Sequence, residues 1–367
     1  MAVIKLIIAG ILALGQILSP VGALITNFGE GAFFTEWSKE DEFTTDSYIE
    51  LEKTPGEDFV VLNLADVQLY DDELYDTIGE EAMALVAKLI EDKKPDLITL
   101  SGDNAWGTIA YLDLIKLVDS YGIPWGAVMG NHDGQRCISE FWAAYHLAEA
   151  ENSIFQFGPK DMGYGNYVIN ITENGNIIHS IYMMDTHNNR DYETENGTIG
   201  GYDHLWDNQM DWYEWCVKGT NKLAGYPVQS TVIMHIPVVE YYDAWHAVST
   251  DADDAAGKLG TINPLFYPIA QGRRGEYGGH PPVNNGFFAL CKELGSTKNM
   301  LVGHDHDNDY SILYEGIRLT YAVKTGAGCY YTEDMLGGTT LNINSLGIVD
   351  VDQNYYAITD GEWAPVK

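Results

Sequence analysis

The chain alternates short apolar runs with segments whose apolar residues recur at helical spacing. Residues 59–65 form an apolar run, the pattern of a buried strand. In residues 78–92, Met83, Val86, Ala87 and Ile90 fall on one face of a helix. Residues 96–101 give a second strand, and residues 109–121 a second helix through Leu112, Ile115, Leu117 and Val118. Residues 124–129 give a third strand. Strand, helix, strand, helix, strand in this order predicts parallel strands joined by right-handed crossovers. A helix is expected over 139–150, then strands over 167–171 and 177–184 with a tight turn at Glu173-Asn174-Gly175. Further on come an aromatic helix (205–218), a strand (228–234), a helix (287–294) and a strand (299–302). Beyond residue 310 the pattern turns β-rich, with a hairpin turn near Glu315-Gly316. The polar, glycine-rich stretch 240–285 reads as a long loop over the site. Residues 24–58 read as a lead-in, 59–350 as one catalytic domain and 351–367 as a C-terminal tail.

The ends of the apolar runs carry the chemistry. Asp66-Val67-Gln68 follows the first strand, Gly102-Asp103-Asn104 the second and Gly130-Asn131-His132-Asp133 the third. His235 follows the strand at 228–234, and Gly303-His304-Asp305-His306 the one at 299–302. Open α/β sheets gather ligands at the carboxyl ends of their strands. A single Gly-Asp or His at such a place is a common turn; five of them point to one site.

These motifs resemble the calcineurin-like metallophosphoesterase superfamily, whose pattern is D-x-H, G-D, G-N-H-[DE], H and G-H-x-H. The resemblance spans roughly 59–325 and is greatest to the purple-acid-phosphatase-like branch. It implies an α/β fold, a four-layer α/β/β/α sandwich with mixed sheets. It implies two divalent metal ions (Mn²⁺, Mg²⁺, Zn²⁺ or Fe). Asp66, Gln68, Asp103 and His306 would hold the first, and Asp103, Asn131, His235 and His304 the second, with Asp103 as the bridge. A metal-bridging hydroxide would be the nucleophile, and His132 would face the substrate as general acid. Asp133 either orients His132 or caps its loop. Asn104, in the Gly-Asp-Asn run, is a substrate-side candidate. A small phosphoester is the implied substrate, a monoester before a diester; a metal-binding protein without turnover is the third reading.

Two departures stand out. Gln68 replaces the usual His, and either offers its neutral amide oxygen to a metal or fails to ligate. Trp106 stands three residues after Asp103, where purple acid phosphatases place a Tyr, so no tyrosinate-iron colour is expected. His187, in Asp185-Thr186-His187 after a strand, either lines the pocket or belongs to a plain loop. Arg273-Arg274 either clamps a phosphate or is solvated loop.

Composition limits the partners. With 20 Lys+Arg against 54 Asp+Glu among 367 residues, the formal net charge is −34, which disfavours nucleic-acid polymers and anionic membranes. A hydrophobic content of 46% argues against disorder. Residues 1–23 have the form of a secretory signal: Lys5, an apolar run, then Val21-Gly22-Ala23. Cleaved, the segment implies export without stable membrane insertion; uncleaved, an anchor. Asn170-Ile171-Thr172 and Asn196-Gly197-Thr198 are glycosylation sequons. The four cysteines allow two disulfides or four free thiols.

Overall fold

The apolar runs become strands of two facing sheets. The computed structural model describes residues 31–71, 76–136, 138–195 and 197–366. The strands of the two large sheets are β1 (Ile49–Glu52), β2 (Phe59–Leu64), β3 (Leu97–Leu100), β4 (Trp125–Ala127), β5 (Tyr167–Glu173), β6 (Asn176–Met183) and β7 (Gln229–Ile233). They continue with β8 (Ala270–Gln271), β9 (Thr297–Val302), β10 (Ser311–Tyr314), β11 (Ile317–Tyr321), β12 (Gly337–Ile343), β13 (Val349–Thr359) and β14 (Glu362–Pro365). The helices are α1 (Thr77–Lys93), α2 (Thr108–Asp119), α3 (Glu140–Glu149), α4 (Asp207–Ala224), α5 (Glu240–Val248) and α6 (Phe287–Leu294).

One sheet has the order β14-β13-β12-β2-β3-β4, with β2, β3 and β4 parallel and β12 antiparallel to β2. The other has the order β1-β5-β6-β7-β9-β11-β10-β8, with β6, β7, β9 and β11 parallel and its outer pairs mixed. Alternation along the second sheet shows its place. Ile169, Met183, Ile233 and Leu301 enter the core shared with the first sheet and helices α1–α3. Their neighbours Val168, Tyr182, Val232 and Met300 enter a second core with Trp212 and Tyr213 of α4, Trp245 of α5 and Phe287 of α6. The layers therefore run helix, sheet, sheet, helix, the expected α/β/β/α sandwich. Burying each such side chain stabilises the fold by roughly 1.5–3 kcal/mol.

Local chemistry sets the ends of these elements. The Asp76 carboxylate accepts from the amides of Ile78 and Gly79 and starts α1. Asp71, on the loop after β2, does the same for α2 from a distance, accepting from Thr108, Ile109 and Ala110 at 2.8–3.1 Å. The β5–β6 turn is the expected two-residue type: Asn174 and Gly175 have φ of 53° and 76°, which a primed turn demands.

Several expectations are corrected. The tail 351–367 is mostly strand, because β13 and β14 extend the first sheet beyond β12. Part of the lead-in, β1, pairs with β5 at the edge of the second sheet. Stretch 240–285 contains α5, whose buried Tyr241, Ala244, Trp245 and Val248 give it a helical face. Helix α4 runs on to Ala224 and stops at Gly225 in the left-handed region. The sequon residue Asn170 is fully buried in β5, where its Oδ1 accepts from Ser180, so it offers no surface acceptor. Asn196, Cys137 and the signal-like segment 1–23 lie outside the described residues. Cys216 and Cys291 are buried free thiols, and Cys329 is exposed and free. Among the described residues no helix is long and apolar enough to cross a membrane.

His179 of β6 is fully buried, with Nδ1 donating to the Gly347 carbonyl and Nε2 accepting from Thr231. Burial lowers its pKa from 6.5 to about 4. An unfolded ring takes up a proton that the folded ring refuses, so its contribution is complete above about pH 6.5 and is lost as pH falls towards about 4. The full effect is about 3 kcal/mol. Denaturant unfolding of His179→Gln is expected to show a shallower loss of stability than wild type across that window.

Candidate metal centre

Five strands from the two sheets end at one place. β2 delivers Asp66 and Gln68, β3 Asp103, β4 Asn131 and His132, β7 His235, and β9 His304 and His306. The backbone turns sharply there: Asp66, Gln68, Asp103 and His304 all have φ between 46° and 79°, which non-glycine residues rarely adopt. Gly130 is required by close approach, since a Cβ there would lie 2.3 Å from Asp103 Oδ1. Gly279, on the long loop, passes just as near His304: a Cβ would lie 2.4 Å from its Nε2. Asp305 holds that loop down, its two carboxylate oxygens accepting from the Gly279 amide at 2.9 and 3.0 Å.

His235 Nε2 sits among three other donor atoms, 3.0 Å from Asn131 Oδ1, 3.3 Å from His304 Nδ1 and 3.4 Å from Asp103 Oδ1. Ligand atoms about 2.0–2.2 Å from a common ion stand roughly 3.0–3.5 Å apart, so this set fits one divalent cation. The tautomers agree. His235 Nδ1 donates to the Ser101 carbonyl, leaving Nε2 for a metal. His306 Nδ1 donates to the Tyr330 carbonyl, leaving Nε2 directed at Asp66 Oδ1, 3.7 Å away. Asp66, Asp103 and His306 bring ligand atoms within 4.8 Å of one another beside the first set.

The buried charges respond to each other. Burial raises Asp66 to about 6. Burial also disfavours charge on His235, but Asp103 and Asp66 outweigh it and raise that ring to about 10. Burial and the His235 charge push His304 down to about 3, leaving a neutral ring suited to ligation.

His132 stands at the open side, with its side chain 31% exposed. Its Nδ1 lies 2.9 Å from Gln135 Oε1, and Gln135 Nε2 donates to the Asn131 carbonyl. That orientation of the amide makes Nδ1 the protonated nitrogen and turns Nε2 to the pocket. Trp106 packs edge-on against the ring at 4.3 Å. Tyr202 packs edge-on against His304 at 4.3 Å, and Tyr330 stacks on His306 at 4.2 Å.

Other expected roles change. Asp133 does not orient His132. It is fully buried and accepts from the amides of Gly130, Asp103 and Asn104 and from the Asn104 side chain at 2.7–3.1 Å. It clamps two ligand loops together. Asn104 is turned inward as well, towards Tyr111, Val128 and Asp133, and does not face a substrate. His187 is stacked on Trp206 at 3.8 Å and bonded to Gln209 at 2.7 Å, so its ring belongs to the start of α4. Arg273 is paired with Asp309 and Asp334, and Arg274 with Asp254, so neither guanidinium is left for a phosphate. The Gln68 amide oxygen accepts from buried Lys324 at 3.0 Å, and its nitrogen donates to Asp103 Oδ2. Sequence reasoning misses Lys324 and Gln135. Only the rarity of a lysine straight after the apolar run Tyr321-Ala322-Val323, and the i+3 spacing from His132, hint at them.

The family model for calcineurin-like phosphoesterases matches residues 59–249. The chain belongs to this family. It is 31% identical over 271 residues to "Probable inactive purple acid phosphatase 14" of Arabidopsis thaliana, covering 67% of this chain and 61% of that one. It is 25% identical over 337 residues to "Phosphatase DCR2" of Saccharomyces cerevisiae, covering 83% of this chain and 54% of the yeast protein. The chain thus spans little more than half to three-fifths of these relatives' lengths. A solved dimetal phosphatase from Danio rerio aligns with a TM-score of 0.49 and 12% identity over 79% of this chain and 94% of its own. The calcineurin-like family uses a dimetal centre, and Asp66, Asp103 and His306 form a group that could hold a metal ion.

Asp133→Asn would set an amide NH₂ either against the Gly130 and Asp103 amides or against the Asn104 amide. Competition titration should show metal affinity reduced by about 10–100-fold. Thermal unfolding should show a loss of about 1–3 kcal/mol from the unpaired donors.

Proposed function

We propose that the chain is a metal-dependent phosphoesterase that hydrolyses small phosphomonoesters. The observation that carries this is the convergence of Asp103, Asn131, His235 and His304 within 3.4 Å of one atom, beside a partly exposed His132 whose Nε2 faces the pocket. Bound divalent metal would supply charge neutralisation of the phosphate and a water acidified enough to attack it. The chain's residues do the rest. His132 holds a proton at Nε2 when its ring is doubly protonated, and Nδ1–H stays on Gln135 throughout. Asp103 Oδ2 lies 4.0 Å from Nε2. From there the proton passes to the leaving oxygen as the P–O bond breaks. Trp106 limits the ring's swing, so the proton is delivered in one direction.

The reading without turnover has one observation in its favour, the engagement of the Gln68 amide oxygen by Lys324 instead of by a metal. The ordered His132–Gln135 pair favours catalysis, because a metal store has no use for an aimed imidazole.

The test is hydrolysis of an aryl phosphate and a bis-aryl phosphate by protein loaded with Mn²⁺, Mg²⁺, Zn²⁺ or Fe. Monoester turnover lost on chelation is expected. Diester turnover above monoester turnover would make the chain a diesterase, and no turnover by folded, metal-loaded protein would leave a binding role. His132→Ala should lower kcat by about 10²–10⁴-fold with metal content unchanged. Gln135→Leu should lower kcat in the same direction by a smaller factor. Asp103→Asn should abolish activity together with metal binding.

A further inference from the structure

The two halves of the centre are not equivalent. Around His235 every donor atom is aimed inward. On the other side, Asp66, Asp103 and His306 converge, but Gln68 turns its NH₂ rather than its oxygen towards them, donating to Asp103 Oδ2 at 3.0 Å. The cause is Lys324, which is 2% exposed. Its ammonium donates to the Asp66 carbonyl at 2.7 Å and to Gln68 Oε1 at 3.0 Å. Turning the amide over, so that its oxygen faced a metal, would set its NH₂ against an NH₃⁺ and remove a donor from Asp103 Oδ2. The lysine is not free to leave. Its backbone bridges Ala65 on one side and Leu336 on the other, and its carbonyl accepts from Gly337 at 2.8 Å.

We infer that Lys324 takes the place of the second cation. The chain holds one tightly bound divalent ion, at Asp103, Asn131, His235 and His304, and a fixed ammonium on the Asp66 and Gln68 side. The charges balance better this way. Asp66 and Asp103 bring −2, a single divalent ion brings +2 and Lys324 brings +1. A second divalent ion would place +5 against the same two carboxylates, inside a buried site where like charges repel strongly. Gln68 then serves as the link that passes the lysine's hydrogen bond on to Asp103. The Lys324 ammonium supplies part of the positive field that a second metal would bring to a bound phosphate.

This inference rests on the metal-binding part of the proposed function and not on turnover. It is tested by titrating metal-free protein with Mn²⁺, following heat by calorimetry and spin state by EPR. One tight equivalent with an uncoupled six-line Mn²⁺ spectrum is expected. Two equivalents of comparable affinity with an exchange-coupled spectrum would overturn it. Failure of folded protein to bind any Mn²⁺, with Zn²⁺ and Fe²⁺ giving the same result, would overturn the metal reading itself. Lys324→Met keeps the volume and removes the charge, and should tighten the second equivalent by about tenfold or more. Lys324→Met/Gln68→His should bind two equivalents and give the coupled spectrum. Circular dichroism identifies any variant that has not folded. Where Lys324→Met has not, Gln68→Glu reads the same point with Lys324 in place: the added carboxylate pairs with the ammonium, and the second equivalent stays weak. A tight second equivalent in Gln68→Glu would overturn the assignment.

Discussion

The buried Asp103 carboxylate is the group around which the active end of the molecule is arranged. An isolated anion at that depth would cost several kcal/mol. It persists because each neighbouring element contributes something to it. The His132 amide donates to Oδ1 at 2.9 Å, the Gln68 side chain donates to Oδ2 at 3.0 Å, and the His235 ring stands 3.4 Å away. Its own amide is held by Asp133, which also holds Gly130 and Asn104. Gly130 has no side chain because one would collide with the carboxylate. The strained backbone at Asp66, Gln68, Asp103 and His304 follows from the same demand, since side chains from separate strands must reach one point.

That dependence explains why some of the site is legible in the sequence and some is not. Asp66, Asp103, Asn131, His235, His304 and His306 each follow an apolar run directly, so their place depends only on a strand ending where its hydrophobicity ends. Their assembly also follows from a resemblance whose motifs are short and specific. The positioning residues obey no such rule. Asp133 and Asn104 are adjacent to ligands and read as ligands' companions, but which way they face is decided by amides on a different loop. Lys324 lies more than 250 residues from Gln68, and pairing of its segment with Ala65 brings them together. The Arg273-Arg274 pair reads as a phosphate clamp because local sequence cannot show that Asp309, Asp334 and Asp254 already hold it.

The fold divides in the same way. The β2-α1-β3-α2-β4 unit is local, with periodicities that identify each element. The β13 and β14 strands and α5 depend on tertiary partners. Helix α5 is recognisable only once Tyr241 and Trp245 are known to share a core with Tyr310 and Tyr321. The acidity of the chain, read first as a barrier to anionic partners, coexists with a site whose cations are concentrated at one end. Among the described residues the acidic side chains are mostly solvent-exposed and screened over about 8–10 Å by physiological salt.

The placement of β2 bears on how the protein is made. Its neighbour on one side, β3, follows soon after it in the chain, but its neighbour on the other side is β12, about 270 residues later. A ribosome releases residues in order, so β2 leaves it with one edge bare and keeps it bare until residues 337–343 appear. His304, His306 and Lys324 also arrive late. The site at the strand ends therefore forms only after those residues have appeared, and during synthesis the half-built sheet is a surface on which other chains could pair.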